Sequence, residues 1–254
     1  MPVVEREQLG NCAVLRLNRP ESLNAITTQM LDELEVHLDA IESDENSRAV
    51  ILTGEGRGFC PGTDLKEPPS DVEARIRHVH ALLLRMVRYP KIIVAAINGL
   101  AMGGGLELAL ACTFRVAVKD AKLGLPEIKI GLLPSYGGTV LLPRLVGAGA
   151  AEAMMLSGEP VSGDEALAMG LVNRLSAEPA SVVQDAHDFV QAYCTHSLVP
   201  QRAIRRAILE GASLGLEDAL AHEWSILQEV SASEDCIEGV MSFIEKRPPN
   251  WKDR

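Results

Sequence analysis

Two carboxylates and two glycine-rich turns carry the chemistry this sequence offers. Glu107 follows Gly103-Gly104-Gly105-Leu106, which comes straight after an apolar strand. Glycines leave backbone N–H groups bare of side chains. The start of a helix leaves those groups without intrahelical partners, and its dipole favours negative charge. That combination suits an oxyanion. Glu107 lies about one helical turn beyond Gly104, so its carboxylate stands beside whatever the Gly104 N–H holds. The same glycines also serve tight helix–strand packing, and Glu107 also suits a helix N-terminus. The run alone leaves both readings open.

The second turn is Phe59-Cys60-Pro61-Gly62-Thr63-Asp64-Leu65. Gly62 allows a sharp bend that aims the Thr63 N–H into a cleft, and Asp64 suits a cap for the turn that follows. Pro61 has no N–H to offer. By itself this segment also reads as an ordinary surface turn. The third segment is Leu125-Pro126-Glu127, followed by Gly131-Leu132-Leu133-Pro134-Ser135-Tyr136-Gly137-Gly138. Glu127 sits among apolar residues in a loop, where a carboxylate is either solvated or placed to work. Pro134 and the glycine pair mark a constrained loop entering a helix.

The elements that must position these groups read as α/β. Strands are expected at Cys12–Asn18, Arg48–Thr53, Lys91–Asn98, Phe114–Val118 and Leu171–Arg174. Helices are expected at about Thr27–Ser43, where Leu31, Leu34, Leu38 and Ile41 share one face, at about Val72–Arg88, and at Leu106–Cys112. A proline-interrupted polar stretch follows Asp64. From Gly137 the pattern is mainly helical. Ser162-Gly163-Asp164-Glu165 has capping-box spacing, Gly170 ends that helix, and helix runs from Pro200 to about Ile244. The order strand, helix, strand, strand, helix, with buried strands, argues α/β. A core of residues 1–196 and a helical region of residues 197–254 are expected. The second is rich enough in apolar positions for either a subunit interface or packing on its own domain.

Composition narrows the partners. The chain has 254 residues, 47% hydrophobic and 23% charged, which fits a globular protein with a substantial core. Its 24 Lys and Arg against 35 Asp and Glu give a formal charge of −11, which disfavours nucleic acid. Five cysteines show no metal-like spacing and read as free thiols of a reducing, cytoplasmic setting. The polar start MPVVEREQLG reads as neither a secretory signal nor a transit peptide. The apolar run Ile92–Phe114 contains Asn98, Glu107 and several glycines, so it reads as strand, turn and buried helix rather than a membrane span. Among the histidines, His78 and His80 read as surface residues. No serine occupies a Gly-x-Ser-x-Gly elbow of the peptidase kind.

Taken together, several segments in order resemble the crotonase family, the enoyl-CoA hydratases and isomerases. They are Leu17-Asn18-Arg19-Pro20…Leu23-Asn24-Ala25, Phe59–Leu65, Ala95-Ala96-Ile97-Asn98-Gly99…Gly103–Glu107, and Pro126-Glu127…Gly131…Pro134…Gly137-Gly138. Further along come Ser162…Glu165-Ala166…Gly170-Leu171-Val172 and Glu238-Gly239…Ser242-Phe243…Glu245-Lys246-Arg247. The resemblance runs almost end to end.

It implies a crotonase-like spiral of ββα units with a C-terminal helical region that builds homotrimers, usually paired into homohexamers. It implies that the N–H groups of Thr63 and Gly104 polarise an acyl-CoA thioester carbonyl, with Gly62, Gly103, Asp64, Leu65, Pro126, Pro134 and Tyr136 around the substrate. Members that hydrate enoyl-CoA use two glutamates, matched here by Glu107, which activates water, and Glu127, which delivers the α-proton. Members that only isomerise commonly lack one of the pair, so hydratase is favoured over isomerase, over another acyl-CoA lyase, and over an acyl-CoA-binding oligomer without activity. Arg19, Lys66 and Lys246 are candidate cations for the phosphates of coenzyme A. The resemblance brings Phe243 and Lys246 to its adenine end from a neighbouring subunit, and Lys246 also reads as an ordinary solvated lysine. The reaction is redox-neutral, so no metal, flavin or nicotinamide is expected, and coenzyme A enters as part of the substrate. Pro61, Thr63 and Ser135-Tyr136 depart from the commoner small residues and bear on which acyl chain fits.

Overall fold

A computed structural model describes residues 2–67 and 71–254. The chain divides into two compact units, Met1–Gln191 and Ala192–Arg254. The strands of the first unit are β1 (Val4–Leu9), β2 (Cys12–Leu17), β3 (Ala49–Gly54), β4 (Gly58–Cys60), β5 (Ile92–Ile97), β6 (Leu100–Met102), β7 (Phe114–Val118), β8 (Leu123–Gly124) and β9 (Arg174–Ser176). Six of them form one sheet in the order β1-β2-β3-β5-β7-β9, and β4-β6-β8 form a second, smaller one. Only β1 and β2 pair antiparallel; every other pairing of these strands is parallel.

The parallel strands are continuous apolar runs because both faces are covered. Ala49–Gly54 and Ile92–Ile97 are buried at every position. Helix α1 (Thr28–Glu42) buries Met30, Leu31, Leu34, Leu38 and Ile41, and the Thr27 side chain caps it by accepting from the Met30 N–H. Helix α2 (Val72–Arg88) buries Arg75, Val79, Leu82, Leu83 and Met86. Helix α3 (Gly104–Leu110) is buried throughout. The order β3-β4-α2, then β5-β6-α3, then β7-β8 gives one strand to each sheet per repeat. This is the ββα spiral the resemblance implies.

The structure departs from the sequence expectation in a few places. Strand β1 arises from the polar start, where only Val4 is buried and the following four residues are exposed, the pattern of an edge strand. The expected strand Leu171–Arg174 begins instead at Arg174, because the N–H groups of Leu171 and Val172 both turn back to the Ala166 carbonyl and leave the ladder. The strands of the small sheet are too short to show a period. The proline-interrupted stretch after Asp64 lies partly outside the described residues.

After β8 come α4 (Gly138–Val146), α5 (Ala148–Ser157), α6 (Gly163–Ala168) and α7 (Val182–Cys194). The Ser162–Glu165 capping box forms in full. In the second unit, α8 (Leu198–Gly211), α9 (Leu216–Ser231) and α10 (Glu234–Glu245) replace the single helical stretch expected. Pro200 lies in the first turn of α8, where its missing N–H costs nothing, and Ser197 caps that turn. Buried Asp235 accepts from the Ser197 hydroxyl and from the Lys252 and Asp253 N–H groups, which pins the chain's last residues. No helix among the described residues is long and apolar enough to cross a membrane.

Candidate active site

Strands β4, β6 and β8 lie side by side and parallel. The segments that leave their C-terminal ends therefore emerge along one edge. These are the three segments singled out above: Pro61–Asp64 after β4, Gly103–Glu107 after β6, and Leu125–Gly131 after β8.

The Thr63 amide is set by a parallel bridge to Ile26. The Ile26 N–H donates to the Gly62 carbonyl at 2.8 Å, and the Asp64 N–H donates to the Ile26 carbonyl at 3.0 Å. Thr63 thus turns its own N–H away from Ile26. Gly62 has φ +104°, and a Cβ there would stand 3.1 Å from the Gly104 nitrogen, so the two turns meet with no room for a side chain. Gly104 is the first residue of α3, whose initial N–H groups have no intrahelical acceptor. Among the described residues, no hydrogen-bond acceptor serves either the Thr63 or the Gly104 N–H. The Asn24 side chain donates to the carbonyls of Glu55 and Gly58 at 3.0 and 2.9 Å, which clips the segment before Ile26 to the turn before β4.

Glu107 is 1% exposed. Its Oε1 accepts from the Tyr136 N–H at 2.8 Å and from the Gly138 N–H at 2.7 Å. Burial pushes its carboxyl up to about 7; the Glu127 charge adds to this, and the two amides oppose it. Glu127 opens the 3₁₀ turn Glu127–Ile130, with Pro126 before it. Burial raises its carboxyl as well. Its Oε2 is buried with no partner among the described residues, and its Oε1 lies 2.9 Å from where a Gly103 Cβ would be. Gly103 has φ +51°, so glycine answers both the backbone and the carboxyl beside it. Because the Glu127 charge raises Glu107, the two do not readily ionise together and their titrations are coupled.

Tyr136, 6% exposed, ties these pieces together. Its ring lies against Gly104, where a Cβ would come within 2.9 Å of Cδ2. Its hydroxyl oxygen accepts from the Thr63 hydroxyl at 2.9 Å and from Arg75 Nε at 3.3 Å. Cys60, beneath the first turn, is buried with its thiol pushed up to about 12 by desolvation, so it packs rather than reacts.

Glu107, Glu127, Gly62, Thr63, Gly103, Gly104 and Tyr136 thus come together, with Pro126 beside Glu127 and Pro134 buried in the loop before Tyr136. Arg19 turns its guanidinium onto the protein, donating to Asp64 Oδ2 at 3.0 Å and to the Ala25 carbonyl at 2.7 Å, which gives it a structural task. Asp64 also caps its turn by accepting from the Lys66 N–H. Leu65 is 77% exposed and Lys66 is also exposed. Phe243, 85% exposed, and Lys246 lie at the end of α10 in the second unit. His78 is half-buried near Asp32 and Glu35, and exposed His80 contacts the Ser135 carbonyl at 2.7 Å. Sequence reasoning missed Arg75. The signal was its place on the stripe Arg75, Val79, Leu82 and Met86, which buries one face of α2.

Comparison with known proteins gives one consistent picture. The family model described as Enoyl-CoA hydratase/isomerase matches residues 7–254. A probable enoyl-CoA hydratase of Bacillus subtilis is 39% identical over 245 residues, covering 94% of this chain and 95% of that protein. The short-chain-enoyl-CoA hydratase of Clostridium acetobutylicum is 35% identical over 250 residues, covering 96% and 95%. The crystal structure of an enoyl-CoA hydratase from Bacillus anthracis superposes with a TM-score of 0.92 at 32% identity, covering 99% of this chain and all of that one (100%).

Proposed function

From the premise that the chain belongs to the enoyl-CoA hydratase/isomerase family, we propose that it is an enoyl-CoA hydratase, adding water reversibly across the 2,3 double bond of an enoyl-CoA thioester. The observation that carries this reading is the pairing of buried Glu107 and half-buried Glu127, both with raised carboxyls, with two amide N–H groups that have no acceptor among the described residues.

In this reading the thioester oxygen lies between the N–H groups of Thr63 and Gly104. Water attacks the β-carbon, and the electrons of the double bond move toward the thioester oxygen as an enolate. Two preorganised donors stabilise that charge; loss of one such donor typically costs about 2.7–4 kcal/mol of barrier. Glu107 accepts the proton that the water loses. Its Oε1 is fixed by two amides, so the carboxyl cannot rotate away. Glu127 supplies the proton that the α-carbon gains. One proton shared by the pair suits a reaction that takes one proton and returns one, in either direction. Lys66 and Lys246 are the proposed cations for the phosphates of coenzyme A.

Five cysteines without metal-like spacing agree with a cytoplasmic enzyme. Exposed Ile204, Ile208, Leu216, Leu220 and Trp224 on α8 and α9 agree with assembly as a homotrimer or homohexamer. The test is direct. Mixing the protein with crotonyl-CoA should lower the absorbance of the conjugated thioester, and Glu107→Gln and Glu127→Gln should each slow that loss. Isomerised or cleaved products without hydration, across a panel of acyl-CoA thioesters, would overturn the reading.

A further inference from the structure

Arg75 is 7% exposed, and among the described residues no carboxylate stands within ion-pair distance of it. Burying a guanidinium without a counter-charge is costly, so what it holds matters. Its Nη2 donates to the Ile26 carbonyl at 3.1 Å, its Nη1 to the Thr28 hydroxyl at 2.8 Å, and its Nε to the Tyr136 hydroxyl at 3.3 Å. Each contact leads into the site. Ile26 is the bridge partner that aims the Thr63 N–H. Tyr136 takes the Thr63 hydroxyl, rests its ring on Gly104, and donates its own N–H to Glu107.

Resting on the hydratase reading, we infer that Arg75 and Tyr136 form a brace that fixes the Thr63 and Gly104 donors relative to the Glu107 carboxyl, and that Arg75 is a positioning residue for the hydration step. A conjugated thioester is rigid. The spacing between its oxygen and its β-carbon is fixed, so the donors and the base must keep a matching spacing. A misplacement of about 1 Å in such a site costs on the order of a hundredfold in rate. The protein meets this demand with one residue, Tyr136, whose side chain touches Thr63 and Gly104 and whose backbone N–H holds the base, and with a second, Arg75, that locks the first. The charge of Arg75 also polarises the Tyr136 and Thr63 hydroxyls beyond it.

The experiment is a double-mutant cycle on the full chain, with R75M, Y136F and the double variant. Y136F keeps the ring and the N–H to Glu107 while losing both hydroxyl bonds. Steady-state kcat and KM with crotonyl-CoA are read beside the absorbance red shift of a bound aryl-enoyl-CoA, which reports carbonyl polarisation, and beside the thermal midpoint. Each single change should lower kcat about tenfold with KM within about threefold, and should shrink the red shift. On the Y136F background, R75M should cost only about threefold more, because the two share one link. Unchanged kcat in either single variant, full additivity, or losses confined to the thermal midpoint with the red shift intact would overturn the brace. Should R75M fail to fold, R75K replaces it in the cycle; it keeps the charge but cannot hold three partners at once, and the same outcomes decide. If the wild-type protein shifts the chromophore yet hydrates nothing, the reaction assignment fails and the brace is judged on the shift. If it neither binds nor hydrates, both fail.

Discussion

Glu107→Gln is the perturbation whose consequences are best defined. Glutamine keeps Oε1 as an acceptor for the Tyr136 and Gly138 N–H groups, so the local frame persists. What goes is the titration. Burial lifts Glu107 from its ordinary 4.5 to about 7. A carboxyl raised in the folded state stabilises the fold while it is protonated, relative to its ionised form. That contribution is complete below the unfolded value and is lost as pH rises through about 7. The whole effect is worth roughly 3 kcal/mol, most of which falls between pH 5 and pH 8. Urea unfolding of wild type and variant at fixed protein concentration, at both pH values, measures it. The variant should gain on the wild type by roughly 2–3 kcal/mol between the lower and the higher pH. Crotonyl-CoA hydration should at the same time fall by roughly 10²- to 10⁴-fold, the usual worth of a general base. A stability difference independent of pH would refute the buried, neutralised carboxyl, and undiminished turnover would refute its role.

Further predictions follow from the neighbouring groups. Glu127→Gln removes the charge beside Glu107, so the pH dependence of its residual rate should move to lower pH; an unmoved profile rejects the coupling. Gly62→Ala puts a Cβ 3.1 Å from the Gly104 nitrogen at φ +104° and should destabilise the fold by about 1–3 kcal/mol, read from the urea midpoint, with most hydration lost. Arg115→Met strands the carbonyls of Leu171, Cys112 and Ala109, which the 2%-exposed guanidinium now serves, and should cost about 3 kcal/mol or more; a change below about 1 kcal/mol would show that the carbonyls find other donors.

The sequence was most legible where period and burial coincide. Leu31, Leu34, Leu38 and Ile41 marked α1, and the strand Phe114–Val118 was placed to the residue. The glycine turns were legible because backbone approach demands glycine there. Less legible were elements created by partners distant in the chain. Gly58–Cys60, Leu100–Met102 and Leu123–Gly124 are strands only because they lie beside one another. Arg75 shares the buried face of α2 with Val79, Leu82 and Met86, but that stripe does not say what a charge there would meet. Its burial comes from Ile26, Thr28 and Tyr136, whose spatial nearness no local pattern encodes.

Thr63, Gly104 and Glu127 each stand two or three residues past the end of consecutive rungs of the small sheet, β4, β6 and β8. Parallel neighbours in a sheet are about 4.8 Å apart, so the spiral acts as a ruler whose pitch sets the distances at which reactive groups are offered. The frame measures and the tips react. A change of residue at one tip alters the chemistry of a single rung and leaves the ruler intact, so this architecture can acquire new reactions without being refolded.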